Sequence, residues 1–230
     1  MKARFLLAAL LALGVLLPAV PAVAQPAARQ RDWTQVVVTT PEGGFRMGNP
    51  NAPVKVVEFL SLTCSHCAAF SAEAGPQLMT YVRSGRVSLE YRNFVLNGLD
   101  MAAALLSRCA TPQNYFALTN SLLASQAHWM GRMQALTDAQ QREMQGLSPL
   151  QTMQRVVAAA GLEAIAARHG VTPAQARACL SNQAGLDRVI QMQQAGTRYG
   201  VSGTPTFAVN GRIAGSVFDW ATLEPLLRGR

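Results

Sequence analysis

Hydrophobic positions follow a strand-like pattern at both ends of the chain and a helical period in the middle, and this change of period lays out the architecture. Trp33 to Thr40 reads as an outer strand, Pro41-Glu42-Gly43-Gly44 as a turn, and Phe45 to Gly48 as a short returning partner. The run Val54-Lys55-Val56-Val57-Glu58-Phe59-Leu60 is rich in β-branched residues and predicts a buried strand. A helix carrying Ala68, Ala69, Phe70, Ala72, Glu73 and Ala74 follows and ends near Ser84-Gly85, and Val87 to Val95 predicts the next strand. Strand, helix and strand would form a right-handed βαβ unit, which Asn97-Gly98 terminates.

From Leu99 to about Gln183 the strand pattern vanishes, and Ala, Leu, Gln and Met recur at helical spacing, as in Tyr115, Leu118 and Leu122 or Leu150, Met153 and Val157. Ser148-Pro149 and Thr172-Pro173 pair a capping side chain with a proline suited to a first turn, so each predicts a helix start. Ala184 to Tyr199 predicts a further helix. Pro205 to Val209 and Arg212 to Val217 predict a hairpin around Asn210-Gly211, and Trp220 to Leu227 a closing helix. The expected class is α/β, a sheet domain in two parts, residues 33–98 and 184–230, with an all-helical insertion over residues 99–183.

Lys2 and Arg4 precede an apolar run from Phe5 to Val20, and Ala22-Val23-Ala24 supplies small residues at the spacing of a signal-peptidase site. Residues 1–24 are therefore expected to be a cleaved signal peptide, residues 25–32 a leader, and the mature protein a soluble one in the periplasm. Without Lys2 and Arg4 the chain carries 18 basic and 12 acidic side chains. These arginines are scattered, at Arg83, Arg86, Arg132, Arg142, Arg155 and Arg188 among others, which suits a solvated surface and not a nucleic-acid interface.

The candidate chemistry lies in Cys64-Ser65-His66-Cys67, two thiols three residues apart at the start of a helix. The thiolate is the reactive form, and an ordinary cysteine with a pKa of about 8.5 is mostly protonated at neutral pH. Unpaired N–H groups in the first helical turn favour an anion on Cys64, and the His66 imidazole lies within reach to assist. Cys64 is the expected nucleophile and Cys67, one turn on, the resolving thiol. A static staple and half of a zinc site are the alternatives, but no second CxxC or CxxH exists, and only His66, His128, His169, Cys109 and Cys179 remain as further ligands. No metal and no cofactor are expected. Cys109 and Cys179 fall in helices near opposite ends of the insertion, and in an oxidising compartment a disulfide between them is the expectation, with two buried free thiols as the alternative.

Glu58 to Cys67, taken with Gly203-Thr204-Pro205-Thr206-Phe207, resembles the DsbA-like thiol:disulfide interchange proteins of the thioredoxin superfamily, from about Val54 to the C-terminus. The resemblance implies a thioredoxin-like fold with an inserted helical domain. It implies that Glu58 is the buried acid that assists proton transfer to Cys67, although an ion pair with Arg92 or Lys55 is the plainer account of that residue. It further implies that Pro205 is a cis-proline facing the cysteines and that Thr204 pairs with a substrate strand. Two features depart from strongly oxidising members, Ser65-His66 in place of Pro-His and Thr204 in place of Val.

The function so implied is donation of the Cys64–Cys67 disulfide to reduced, unfolded exported proteins, with reoxidation by a membrane redox partner and a monomeric state. Isomerases of the superfamily usually carry a dimerisation module, for which residues 25–54 are too few. An isomerase or client-specific reductase remains the alternative, and a chaperone-like binding protein with a structural CxxC the third reading. Met130, Met133, Met144, Met153 and Met192 suit either a soft groove or core filling.

Overall fold

The computed structural model describes residues 31–228, so the expected signal peptide and the leader up to Gln30 lie outside the described residues. A single six-stranded mixed sheet carries the fold, with strands β1 (Val37–Thr39), β2 (Phe45–Gly48), β3 (Val54–Leu60), β4 (Val87–Asn93), β5 (Thr206–Val209) and β6 (Arg212–Ile213). Their spatial order is β1-β2-β4-β3-β5-β6. Only β3 and β4 run parallel, in the register Val54 opposite Val87 through Leu60 opposite Asn93, and α1 (Ser65–Arg83) crosses between them.

Central strand β3 is buried because both its faces are covered. Val54, Val56 and Leu60 face the main core with α1, whereas Phe59 packs with Phe94, Val201 and Ala208 on the opposite side. Between β4 and β5 the chain forms α2 (Gly98–Ser107), α3 (Pro112–Ala124), α4 (Gln126–Gln134), α5 (Asp138–Arg142), α6 (Pro149–Ala160), α7 (Leu162–Ala167), α8 (Pro173–Leu180) and α9 (Gln183–Tyr199). Helix α10 (Trp220–Leu227) closes the chain. Helix α9 comes close to the second face of the sheet at Gly196, where a Cβ would lie 3.2 Å from Phe94 and 3.4 Å from Phe59. Leu106, Tyr115, Leu118, Trp129 and Val157 of the inserted helices belong to the same apolar core as Val56, Leu60 and Phe207 of the sheet. The insertion is thus packed into the body of the protein.

Local sequence chemistry explains the helix starts. Ser148 and Thr172 form reciprocal capping boxes with Gln151 and Gln175, each with proline in the first turn. The expected outer strand from Trp33 is different at its beginning: Trp33–Gln35 is a 3₁₀ turn, because the Asp32 side chain accepts the Thr34 N–H and bends the chain before β1. Trp33 lies over Gly85, whose left-handed backbone (φ 81°) leaves no room for a Cβ, 2.7 Å from the indole. Strand β4 ends at Asn93 instead of Val95. The second hairpin strand stops at Ile213 instead of Val217, where Gly215-Ser216 turns the chain. The methionines fill core: Met192 is buried, and Met130, Met133, Met144 and Met153 pack partly buried against the main cluster.

Candidate active site

Strand β3 delivers the site. The residues after it, Ser61-Leu62-Thr63, turn the chain so that Cys64 occupies the N-cap of α1 with an extended backbone (φ −84°, ψ 119°), and its side chain makes no capping bond of its own. The sulfur is left to interact elsewhere. It lies 3.2 Å from the carbonyl oxygen of Thr204, to which the thiol donates. The Thr204–Pro205 peptide bond is cis. The loop before β5 and the start of α1 therefore meet at one atom.

The two sulfurs, not bonded to each other here, have opposite affinities for charge. The Cys67 thiol hydrogen-bonds the Cys64 sulfur, and this is the largest of the effects that lower the Cys64 pKa to about 4. The Thr204 side chain and the backbone N–H groups of Cys67 and His66 add to it, against the opposing effect of burial. The Thr204 hydroxyl is buried with no other hydrogen-bond partner among the described residues, which leaves it available to that sulfur. Cys67 is wholly enclosed, and its pKa is raised strongly, first by the bond it gives to Cys64, then by burial and by the charge of Glu58.

Glu58 lies in the middle of β3 and is 1% exposed. It has no ion pair. Arg92 turns to Glu90, 2.7 Å away, and to Glu42, and Lys55 is exposed, so the plainer account of Glu58 as a salt-bridged strand residue does not hold. Burial, followed by repulsion from Cys64, raises its carboxyl pKa to about 8, and one carboxyl oxygen has no hydrogen-bond partner among the described residues. A carboxyl whose pKa is raised to about 8 beside the sulfurs can hold a proton near neutral pH.

His66 is exposed, and what reaches the Cys64 sulfur from it is its backbone N–H, not the expected imidazole. The ring instead lines an apolar depression of about 340 Å³ with Thr204, Pro205 and Phe218. Cys109 and Cys179 are joined by a disulfide, with Cα atoms 5.7 Å apart. His128 is exposed, and His169 is bonded to Ser121 at 2.8 Å. No group of three or more His, Cys, Asp or Glu residues among the described residues could hold a metal ion.

Sequence reasoning missed two polar residues that hold the loop leading to Cys64. Asp100, fully buried, accepts the Leu62 N–H at 2.8 Å and the Leu96 N–H at 2.9 Å, and burial raises its pKa. Gln126 donates to the carbonyls of Leu62 and Cys64. Asp100 left a faint trace, three residues after the N-cap Asn97; Gln126 left none.

A thioredoxin family model matches residues 40–228 of this chain. Among solved structures, a protein-disulfide isomerase from Novosphingobium aromaticivorans is similar with a TM-score of 0.73 and 32% identity, over 80% of this chain and 94% of that one. The α-DsbA1 of Wolbachia pipientis aligns with a TM-score of 0.59 at 20% identity, over 83% of this chain and 92% of that one, a likeness of fold. A Rickettsia bellii protein assigned by name to the protein-disulfide oxidoreductases is 27% identical over 205 residues, which cover 83% of this chain and 69% of that protein. A Rickettsia conorii protein of the same name is 28% identical, and the chain spans 54% of its length.

Proposed function

The chain belongs to the thioredoxin family and is a protein-disulfide oxidoreductase, and we propose that it acts as an oxidant, using a Cys64–Cys67 disulfide to introduce disulfides into exported proteins. In the oxidised enzyme a client thiolate attacks the Cys64 sulfur, the Cys64–Cys67 bond breaks, and Cys67 leaves as a thiolate that takes a proton from the Glu58 carboxyl. A second client thiolate then attacks the client sulfur of the mixed disulfide and expels Cys64. The client loses two electrons and two protons, and the enzyme is left as a Cys64 thiolate, a Cys67 thiol and a proton to be released.

One observation carries the direction: Cys64 holds negative charge easily, with a pKa near 4, and Cys67 does not. A low pKa makes Cys64 a good leaving group and stabilises the reduced enzyme, so the disulfide is readily given away. The equilibrium potential against glutathione tests this. A value well above that of thioredoxin, about −270 mV, is expected, and a value close to it would overturn the oxidant reading.

A second reading, an isomerase or client-specific reductase, rests on the sequence alone, on Thr204 where strong oxidants of the superfamily often have Val; its side chain, which helps to lower the Cys64 pKa, favours the oxidant. The periplasm, export by residues 1–24, reoxidation by a membrane partner, and a monomer complete the proposal. The cleavage pattern Ala22-Val23-Ala24 supports export, and among the described residues no helix is long and apolar enough to cross a membrane.

A further inference from the structure

We propose that Gln126 is a positioning residue for the redox cysteine: its side-chain amide holds the Leu62 and Cys64 carbonyls and so lets the inserted helices set the geometry of the Cys64 sulfur. The inference rests on the oxidoreductase reading above and assigns it a new component.

The Gln126 Nε2 lies 2.8 Å from the Leu62 oxygen and 3.0 Å from the Cys64 oxygen. Both partners are carbonyls, so only the amide nitrogen can face them, and its two hydrogens serve one each. Gln126 is buried, and it opens α4 next to a rigid corner. There the indole of fully buried Trp129 donates to the Leu122 carbonyl at 2.8 Å, and Ser125 bonds back to the Ser121 carbonyl at 2.7 Å.

The same short loop is held from a second side by α2. Asp100 takes the Leu62 N–H, and the Asn97 side chain donates to the Thr63 hydroxyl at 3.0 Å. Both polar groups of Leu62 are therefore bonded to side chains of the insertion, 38 and 64 residues further along the chain. The sheet itself supplies neither.

The consequence for chemistry follows from backbone geometry. The direction of the Cys64 carbonyl is the ψ angle of Cys64, and that angle aims the following N–H groups of α1 at the sulfur. Among the described residues the Cys64 carbonyl otherwise bonds only the Ala68 N–H at 3.2 Å, the first bond of the helix. Gln126 thus pins the peptide unit where the extended loop becomes helix. Its donated hydrogen also draws partial negative charge away from an oxygen next to a developing thiolate.

The test is ultraviolet titration of the Cys64 thiolate, with the glutathione equilibrium, in wild type, Gln126→Met and Val157→Ala. Val157 is buried in α6 of the same insertion. In Gln126→Met the titration midpoint should rise by about one pH unit and the equilibrium constant with glutathione should fall about tenfold, or about 30 mV. Val157→Ala should lower the unfolding midpoint and leave the Cys64 titration in place. If Gln126→Met does not fold, Gln126→Asn, one methylene shorter, should give a rise in the same direction. An unchanged midpoint in a folded Gln126 variant beside a low wild-type midpoint overturns the positioning role and leaves the proposed function standing. An ordinary midpoint in wild type overturns both.

Discussion

The sulfur of Cys64 lies 3.2 Å from the carbonyl oxygen of Thr204, a residue 140 positions further along the chain. As a thiol Cys64 donates to that oxygen. As a thiolate it loses the bond and is offered the buried Thr204 hydroxyl instead, which has no other partner among the described residues. One residue thus contacts both protonation states of the nucleophile.

Replacing Thr204 by Val removes the hydroxyl and keeps the shape. The Cys64 pKa should rise by about one unit and the disulfide should become about 30 mV less oxidising, as read by thiolate absorbance and glutathione equilibration. A midpoint at the wild-type value would show that the hydroxyl does not serve the sulfur.

Reduced protein treated with iodoacetamide at about pH 6 should be labelled at Cys64 and spared at Cys67, because the first sulfur ionises near pH 4 and the second is enclosed with its pKa raised. Peptide mass mapping reads the outcome, and equal labelling would contradict the asymmetry. Cys64→Ser should abolish insulin reduction and hirudin oxidation alike.

The reduced enzyme should outlast the oxidised one in denaturant near neutral pH. The Cys64 pKa falls from about 8.5 in the unfolded chain to about 4 in the fold, so its contribution is complete above the unfolded value. It shrinks as pH falls and is gone below about 4. Unfolding midpoints of both forms between about pH 4 and 8 give the trend, and a gap that widens on acidification would refute it.

Glu58 acts with the opposite sign. Its folded pKa is raised from 4.5 to about 8, so burying it costs nothing below the first value and progressively more as pH rises toward the second. Glu58→Gln should therefore stabilise the protein by roughly 1–3 kcal/mol at about pH 8, less than the full shift because a buried amide still lacks partners, and do little at about pH 4. The same variant should slow steps in which Cys67 gains or loses a proton. Denaturation curves at the two pH values, with stopped-flow exchange, check both.

Removing the Cys109–Cys179 bridge as Cys109→Ala with Cys179→Ala opens a loop of 70 residues and should cost roughly 2–4 kcal/mol in chemical denaturation. The Cys64 titration should barely move. Loss of stability below about 1 kcal/mol would assign the bridge no structural weight.

Much of this was legible in one dimension because it depends on neighbours in the chain. The β-branched run Val54–Leu60, the Ser148-Pro149 and Thr172-Pro173 starts and the Asn210-Gly211 turn act over a few residues, and the elements followed. The Asp32 side chain bends the chain at Trp33–Gln35, so β1 begins at Val37 and not at Trp33. The CxxC spacing likewise assigned one sulfur to the helix start and the other to its inner face.

What tertiary structure alone decided is the environment of those sulfurs. Whether Glu58 has a cation depended on Arg92 turning to Glu90. Whether the Leu62–Cys64 loop is held depended on Asp100 and Gln126, and what touches the nucleophile depended on Thr204. Each is a contact between residues far apart in sequence, selected by how helices pack on a sheet, and no local propensity encodes it. A sequence names the atoms that can react; their ionisation is set by burial and by donors that only the folded chain brings within about 3 Å.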